Sequence, residues 1–444
     1  MPRLRISVST GLAIALILAA SVMRVIWTVH HPPTDFVYSD AERHWFNATH
    51  PLDRNPFAGI DPPAYELWLG LIAHTTVGEP LAIGIYAALL SLCTPFVWFL
   101  FARKILNNSA WALWFWATLA WLPSWVGVFS YFMNETLLIP LIGVSLWQTV
   151  QEDVDNSKRW IVLNLSWAVT CLTRIIALPL AAVAMIFAVS GTRRRLQRLV
   201  LAALVWSCLL APAAYRAQQI INVPTPFGLP YPHHIYWESG ARDIYLHLSS
   251  TRHGAAYLYH FAANSVFNEP LRPFSNYTIP RTGRVDVWVN LDHGLADWRL
   301  AATMHAPDFS TRLRLYRENA LLFLLGDSWP DGHRDLFWEN VAFHFHWGWL
   351  LIVLGSSIGS MVYIHRTRTV QLLPALTITA FLVPLLSNAG VMEARFRKPL
   401  EGIFLLALFW LTQQYLHKRT LGVVQVRESA PVVNHLHQKE LLVP

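Results

Sequence analysis

The residues best placed to do chemistry are ionisable groups that stand beside long apolar runs. Four such groups come from distant parts of the chain: Tyr38-Ser39-Asp40-Ala41-Glu42, Asn134-Glu135, Thr173-Arg174 and Glu393-Ala394-Arg395-Phe396-Arg397-Lys398. Charge at membrane depth is costly, so such residues mark functional sites by default. A carboxylate can take a proton from a hydroxyl, and an arginine can hold a phosphate through two parallel N–H donors. Asp40, Glu42 and Glu135 are therefore the candidate catalytic carboxylates. Asp40 is the expected general base and Glu42 its helper, because a like charge nearby raises a carboxylate's pKa. Asn134, Arg174, Glu393, Arg395, Arg397 and Lys398 are candidates for substrate binding, the cations for a leaving phosphate. Each group also has a plainer reading. Glu393 and Arg397 are spaced to pair on a helix end, Arg174 can neutralise Glu135, and Asp40 or Ser39 can cap a helix beginning at Ala41.

Membrane helices must position these groups. The 444 residues are 54% hydrophobic and 14% charged, with mean hydropathy +0.35, where a soluble domain would be about 25% charged. The 21 tryptophans suit a chain with many membrane–water interfaces. Apolar runs near 8–29, 81–102, 109–130, 135–150, 160–173, 175–190, 199–219, 341–363, 369–388 and 399–416 are the candidate spans. Arg174 and Pro179 interrupt the stretch 160–190, which therefore reads as two short helices with Arg174 at the turn. The first run is longer than a cleaved signal would carry and reads as a retained helix, with Arg24 near its outer end, free to snorkel. Placing Arg3 and Arg5 inside puts Arg103, Lys104, Lys158, Arg159 and the clusters 193–198, 365–368 and 418–419 inside as well. Only 395–398 falls on the opposite face, so ten spans with both termini cytoplasmic satisfy the positive-inside rule best.

The expected fold class is all-α: a polytopic module over residues 1–419 with about ten transmembrane helices. Outer loops cover about 30–80 and 222–340 and carry interfacial helices, one of them at 316–325, and 420–444 is a polar cytoplasmic tail. The net charge of +7, from 34 basic and 27 acidic residues, orients helices and meets anionic lipid; no nucleic-acid partner is expected. Cys93, Cys171 and Cys208 lie inside apolar runs and read as small core residues.

In order and spacing, these elements resemble the GT-C superfamily of membrane glycosyltransferases, which includes protein O-mannosyltransferases and lipid A aminoarabinose transferases. The carrying residues are Ser39-Asp40-Ala41-Glu42-Arg43-His44-Trp45 after the first span, Asp61-Pro62-Pro63-Ala64-Tyr65 before the second and Asn134-Glu135-Thr136-Leu137 at the fourth. Thr173-Arg174 before the sixth and Glu393-Ala394-Arg395-Phe396-Arg397-Lys398-Pro399 before the last complete the set. Trp45 stands where tyrosine is common, and the soluble outer domain of some members is missing. The resemblance adds Tyr65 to the substrate-binding candidates. It implies an inverting glycosyltransferase that moves a sugar from a polyprenyl-phosphate donor to a glycan, lipid or protein acceptor on the extracytoplasmic face. A lipid-borne donor needs no nucleotide fold, and neither a dinucleotide fingerprint nor a P-loop occurs.

No cofactor is required by this reading. A divalent metal has a place only on Asp40, Glu42 and Glu135, since His344 and His346 diverge on a helix. The expected location is a bacterial inner membrane with the site facing the periplasm. The rivals are a transporter or flippase of lipid-linked sugars, which should show matching halves and midplane charges, and a ligase or polymerase of lipid-diphosphate-linked glycans, which needs a longer cationic groove.

Overall fold

The computed structural model describes residues 8–37, 40–51, 61–106, 108–151, 156–221, 224–227, 243–251, 254–261, 285–290, 320, 323–324, 331, 334–386 and 394–428. Each expected apolar run contains helix. In chain order these are α1 (Val8–His30), α4 (Pro80–Ile105), α5 (Ser109–Ala120), α6 (Pro123–Gly127), α7 (Glu135–Thr149), α8 (Ser157–Thr173), α9 (Leu178–Ser190) and α10 (Arg195–Ile221). After them come α11 (Phe337–His344), α12 (His346–Thr367), α13 (Leu372–Leu386) and α14 (Glu401–Glu428). By length and apolarity α1, α4, α10 and α12 each suffice to cross a membrane. The pair α5–α6 makes a fifth if counted as one span, bent by 58°. Others are shorter: the 15 residues of α7 reach about 22 Å, against a hydrocarbon core of about 30 Å.

Helix α4 packs against α1, α5 and α7; α8 joins α7 to α10, and α14 packs on α12 and α13. The core centres on Trp98, whose indole N–H donates to the Ile139 carbonyl at 2.9 Å. Arg24 is fully buried and does not snorkel. Pro123 stops the run after α5 and leaves its last carbonyls short of helical donors, although the Leu122 N–H reaches the Leu119 carbonyl at 3.2 Å. Arg24 supplies further donors, bonding the carbonyls of Leu119 at 3.0 Å and Ala120 at 2.7 Å, with Ser91 Oγ at 2.9 Å. The guanidinium is thus the pin of the α5–α6 bend.

The segment after α1 folds into α2 (Asp40–Thr49) and α3 (Pro63–Thr76). Pro63 opens α3 where a missing N–H costs nothing, and Val77 and Gly78, at φ 52° and 75°, end it. The two helices cross closely at Gly70, where a Cβ would lie 2.8 Å from the Ala48 carbonyl oxygen. Ala41, Tyr65, Leu69, Ile72, Ile83, Phe132 and Leu137 fasten the pair to α4 and α7.

Two further expectations change. The all-α class does not hold for the second polar segment, where β1 (Asp243–Thr251) pairs antiparallel with β2 (Gly254–Phe261) and β3 (Val285–Asn290), in the order β2-β1-β3. The period-two alternation of Ile244, Leu246 and Leu248 with polar or aromatic neighbours is the strand signal. Helix α14 also continues past residue 419 to Glu428, into the expected tail. Of the interfacial helix expected at 316–325, only Ala320, Phe323 and Leu324 are among the described residues, and these are helical.

Candidate functional site

Asp40 is the first residue of α2, where a carboxylate suits the helix N-terminus. One turn on, Arg43 reaches back to Asp40 Oδ1 at 2.8 Å and across to Asp61 Oδ2 at 2.7 Å. Asp61 immediately precedes the prolines that start α3, so Arg43 ties α2 and α3 at their beginnings. The other Asp40 oxygen accepts from Arg395 Nη1 at 2.6 Å, across 355 positions of sequence. Arg395 belongs to a 3₁₀ turn, Ala394–Leu400, that leads into α14.

The next residue on that turn, Phe396, carries two cations. The Arg174 guanidinium lies 4.3 Å from its ring centroid and the Arg395 guanidinium 5.9 Å. Arg174 sits in extended backbone between α8 and the turn Ile175–Ala177, which frees its side chain to cross to α7. There Nη1 donates to Asn134 Oδ1 at 3.0 Å and pairs with Glu135 Oε1. The second oxygen of Glu135, Oε2, is buried and has no hydrogen-bond partner among the described residues. Native proteins rarely leave a buried carboxylate oxygen so.

The cluster therefore sets three carboxylates, Asp40, Asp61 and Glu135, against three arginines, Arg43, Arg174 and Arg395. All but Glu135 keep roughly a tenth of their side-chain surface open. Burial pushes the Asp40 carboxyl up, but Arg43 and Arg395, aided by His44, outweigh it and hold the group well below the usual carboxylate range. This reverses the expectation of a base raised by Glu42. On a helix, neighbours two apart diverge, and Glu42 is exposed rather than beside Asp40. His44, one turn beyond Asp40, is pushed down to about 4 by burial despite Asp61 at 3.9 Å.

Tyr65 is buried with its ring edge-on to His44 at 5.1 Å, and with Trp68, Tyr131 and Phe132 it lines an apolar cavity. It forms the wall behind the cluster. Arg397 and Lys398, expected to meet the phosphate, turn inward. Lys398 Nζ pairs with Asp331 at 2.6 Å, and Arg397 donates to the Phe323 carbonyl at 2.7 Å, with Glu401 3.6 Å away. Ser124 Oγ donates to Glu401 at 2.6 Å, closing the network. Glu393 lies outside the described residues. Among those residues no group of three His, Cys, Asp or Glu side chains is placed to hold a metal. Asp40 and Glu135 face arginines instead, and His344 and His346 fall on either side of the break between α11 and α12.

Arg43, His44 and Asp61 stand in the two quoted motifs, yet the sequence assigns them no role in the site. Arg43 stands at i+3 from Asp40, a spacing that pairs charges on any helix. A second cluster was equally silent. Glu66 on α3 accepts from Asn47 at 2.7 Å and from Arg216 of α10 at 3.3 Å. Burial outweighs Arg216 and pushes the Glu66 carboxyl up to about 8. No protein-family model matches the chain, and no curated protein matches it either.

Proposed function

We propose that the chain is a ten-span inverting membrane glycosyltransferase of the GT-C kind, set in a bacterial inner membrane with its site on the periplasmic face. It takes a sugar from a polyprenyl-phosphate donor and passes it to a glycan, lipid or protein acceptor. The observation that carries this reading is the Asp40–Arg395 contact beside Arg174 on the Phe396 ring. A carboxylate from the first outer segment and cations from two later motifs thereby share one partly open cluster. Such a set has the parts that sugar transfer from a lipid phosphate needs. Asp40 takes the acceptor's proton, while Arg174 and Arg395 stabilise the phosphate as it leaves. The unsatisfied Glu135 Oε2 accepts from a sugar hydroxyl.

The test is sugar transfer by the full chain in lipid nanodiscs, supplied with polyprenyl-phosphate sugars. Asp40→Asn keeps the shape and removes the basicity, so turnover should fall by roughly 10²–10⁴-fold while donor still binds. Near-normal turnover in that variant would remove Asp40 from the mechanism.

A further inference from the structure

The cluster is balanced: three carboxylates and three arginines already satisfy one another's charge. A donor phosphate therefore enters a site whose cations are engaged. Of the two arginines on the Phe396 ring, Arg174 is held by the buried Glu135 and Asn134, whereas Arg395 is held by Asp40, whose side chain keeps 15% of its surface open. The Asp40–Arg395 bond is the more exchangeable of the two. Asp40 also has a second holder, since Arg43 grips its other oxygen and is itself braced by Asp61. A carboxylate with both oxygens in charge-assisted bonds is a poor proton acceptor.

Resting on the reading of this cluster as a polyprenyl-phosphate-sugar site, we propose that the phosphate binds by displacing Asp40 from Arg395, leaving Arg43 as the tether that aims the freed carboxylate at the acceptor. Donor binding and unmasking of the base are then one event. In the transfer itself the acceptor oxygen bonds to the anomeric carbon as the bond from that carbon to the phosphate oxygen breaks. The bonding pair leaves with the phosphate, as polyprenyl phosphate held by Arg174 and Arg395, and the acceptor's proton passes to Asp40 Oδ2. Without donor, Oδ2 stays bonded to Arg395, which guards against idle proton uptake. Arg43 is a positioning residue: it touches neither sugar nor phosphate and acts through Asp40.

The experiment titrates polyprenyl phosphate against the full chain in nanodiscs, with native mass spectrometry as readout. Asp40→Asn removes the competitor and should bind about tenfold tighter than wild type or better, the relief of a like-charge contact. Arg43→Gln should move affinity the other way, because Asp40 then leans on Arg395 alone. Its kcat should fall as well, with partial rescue by Arg43→Lys. A merely structural cluster would weaken binding in both variants. Should Asp40→Asn fold poorly, Asp40→Ser removes the same charge with a smaller side chain. Equal affinity in wild type and the Asp40 variants would overturn the displacement. Failure of every form to bind polyprenyl phosphate would instead overturn the glycosyltransferase reading on which it stands.

Discussion

Two sets of cations lie on one seven-residue turn, Ala394–Leu400, and their surroundings could hardly differ more. Arg395 faces the partly open cluster and bonds a carboxylate that holds two arginines. Arg397 and Lys398 are 2% and 0% exposed and meet Asp331, Glu401 and the Phe323 carbonyl in a sealed network. The same residue types thus do opposite work. In the open set a bond can be exchanged for a ligand at little cost, because water and ligand can reach the groups. In the sealed set every bond is obligatory, since removing one partner strands a buried charge.

The largest effect should come from the sealed side. Lys398→Ala leaves Asp331 buried without its cation, which should cost about 3–5 kcal/mol, much of a typical domain's total stability. Thermal unfolding in detergent checks this. Arg395→Ala, three residues earlier, should cost far less. Equal losses from the two would dissolve the contrast.

A smaller effect is expected at the open cluster. Arg174→Ala removes one charge-assisted contact and should weaken polyprenyl-phosphate binding by about 1.5–3 kcal/mol, roughly 10- to 150-fold. Unchanged affinity would place the phosphate elsewhere.

A further effect concerns Glu66, which is buried like Lys398 but tied to α2 and α10 through Asn47 and Arg216. Its folded pKa of about 8 lies above the ordinary 4.5, chiefly through burial, with Asp61 adding to the rise and Arg216, Asn47 and Arg43 opposing it. Stability from such a group is complete below the unfolded value and is lost as pH rises through the folded one. Melting temperature should therefore drop between about pH 5 and pH 8 in wild type, and Glu66→Gln should flatten that drop. A variant that keeps the full slope would clear Glu66 of the effect.

Much of the helical layout was legible because apolar runs and basic clusters are local signals. The break at Arg174 was readable as a charge inside an apolar stretch, and α2 begins at Asp40, one residue from the expected capped start. The Arg174–Glu135 pair was foreseen as the plainer of two readings. The sheet is written in the period-two alternation of β1, a weaker signal than the long apolar runs around it. Arg24 was misread because its partners are carbonyls, which every residue carries and no sequence distinguishes.

What the sequence by itself determined is the set of apolar segments, their order, and the stock of charges at their ends. Hydrophobic length and charge placement act through solvent, and each can be judged one segment at a time. Which charge meets which was decided only by the tertiary structure. Asp40 and Arg395 stand 355 positions apart, and nothing local says that Arg395 turns to the cluster while Lys398 turns to Asp331. That choice depends on how α2, α7 and α14 pack, because a side chain on a tight turn takes whichever partner the packing brings within about 3 Å.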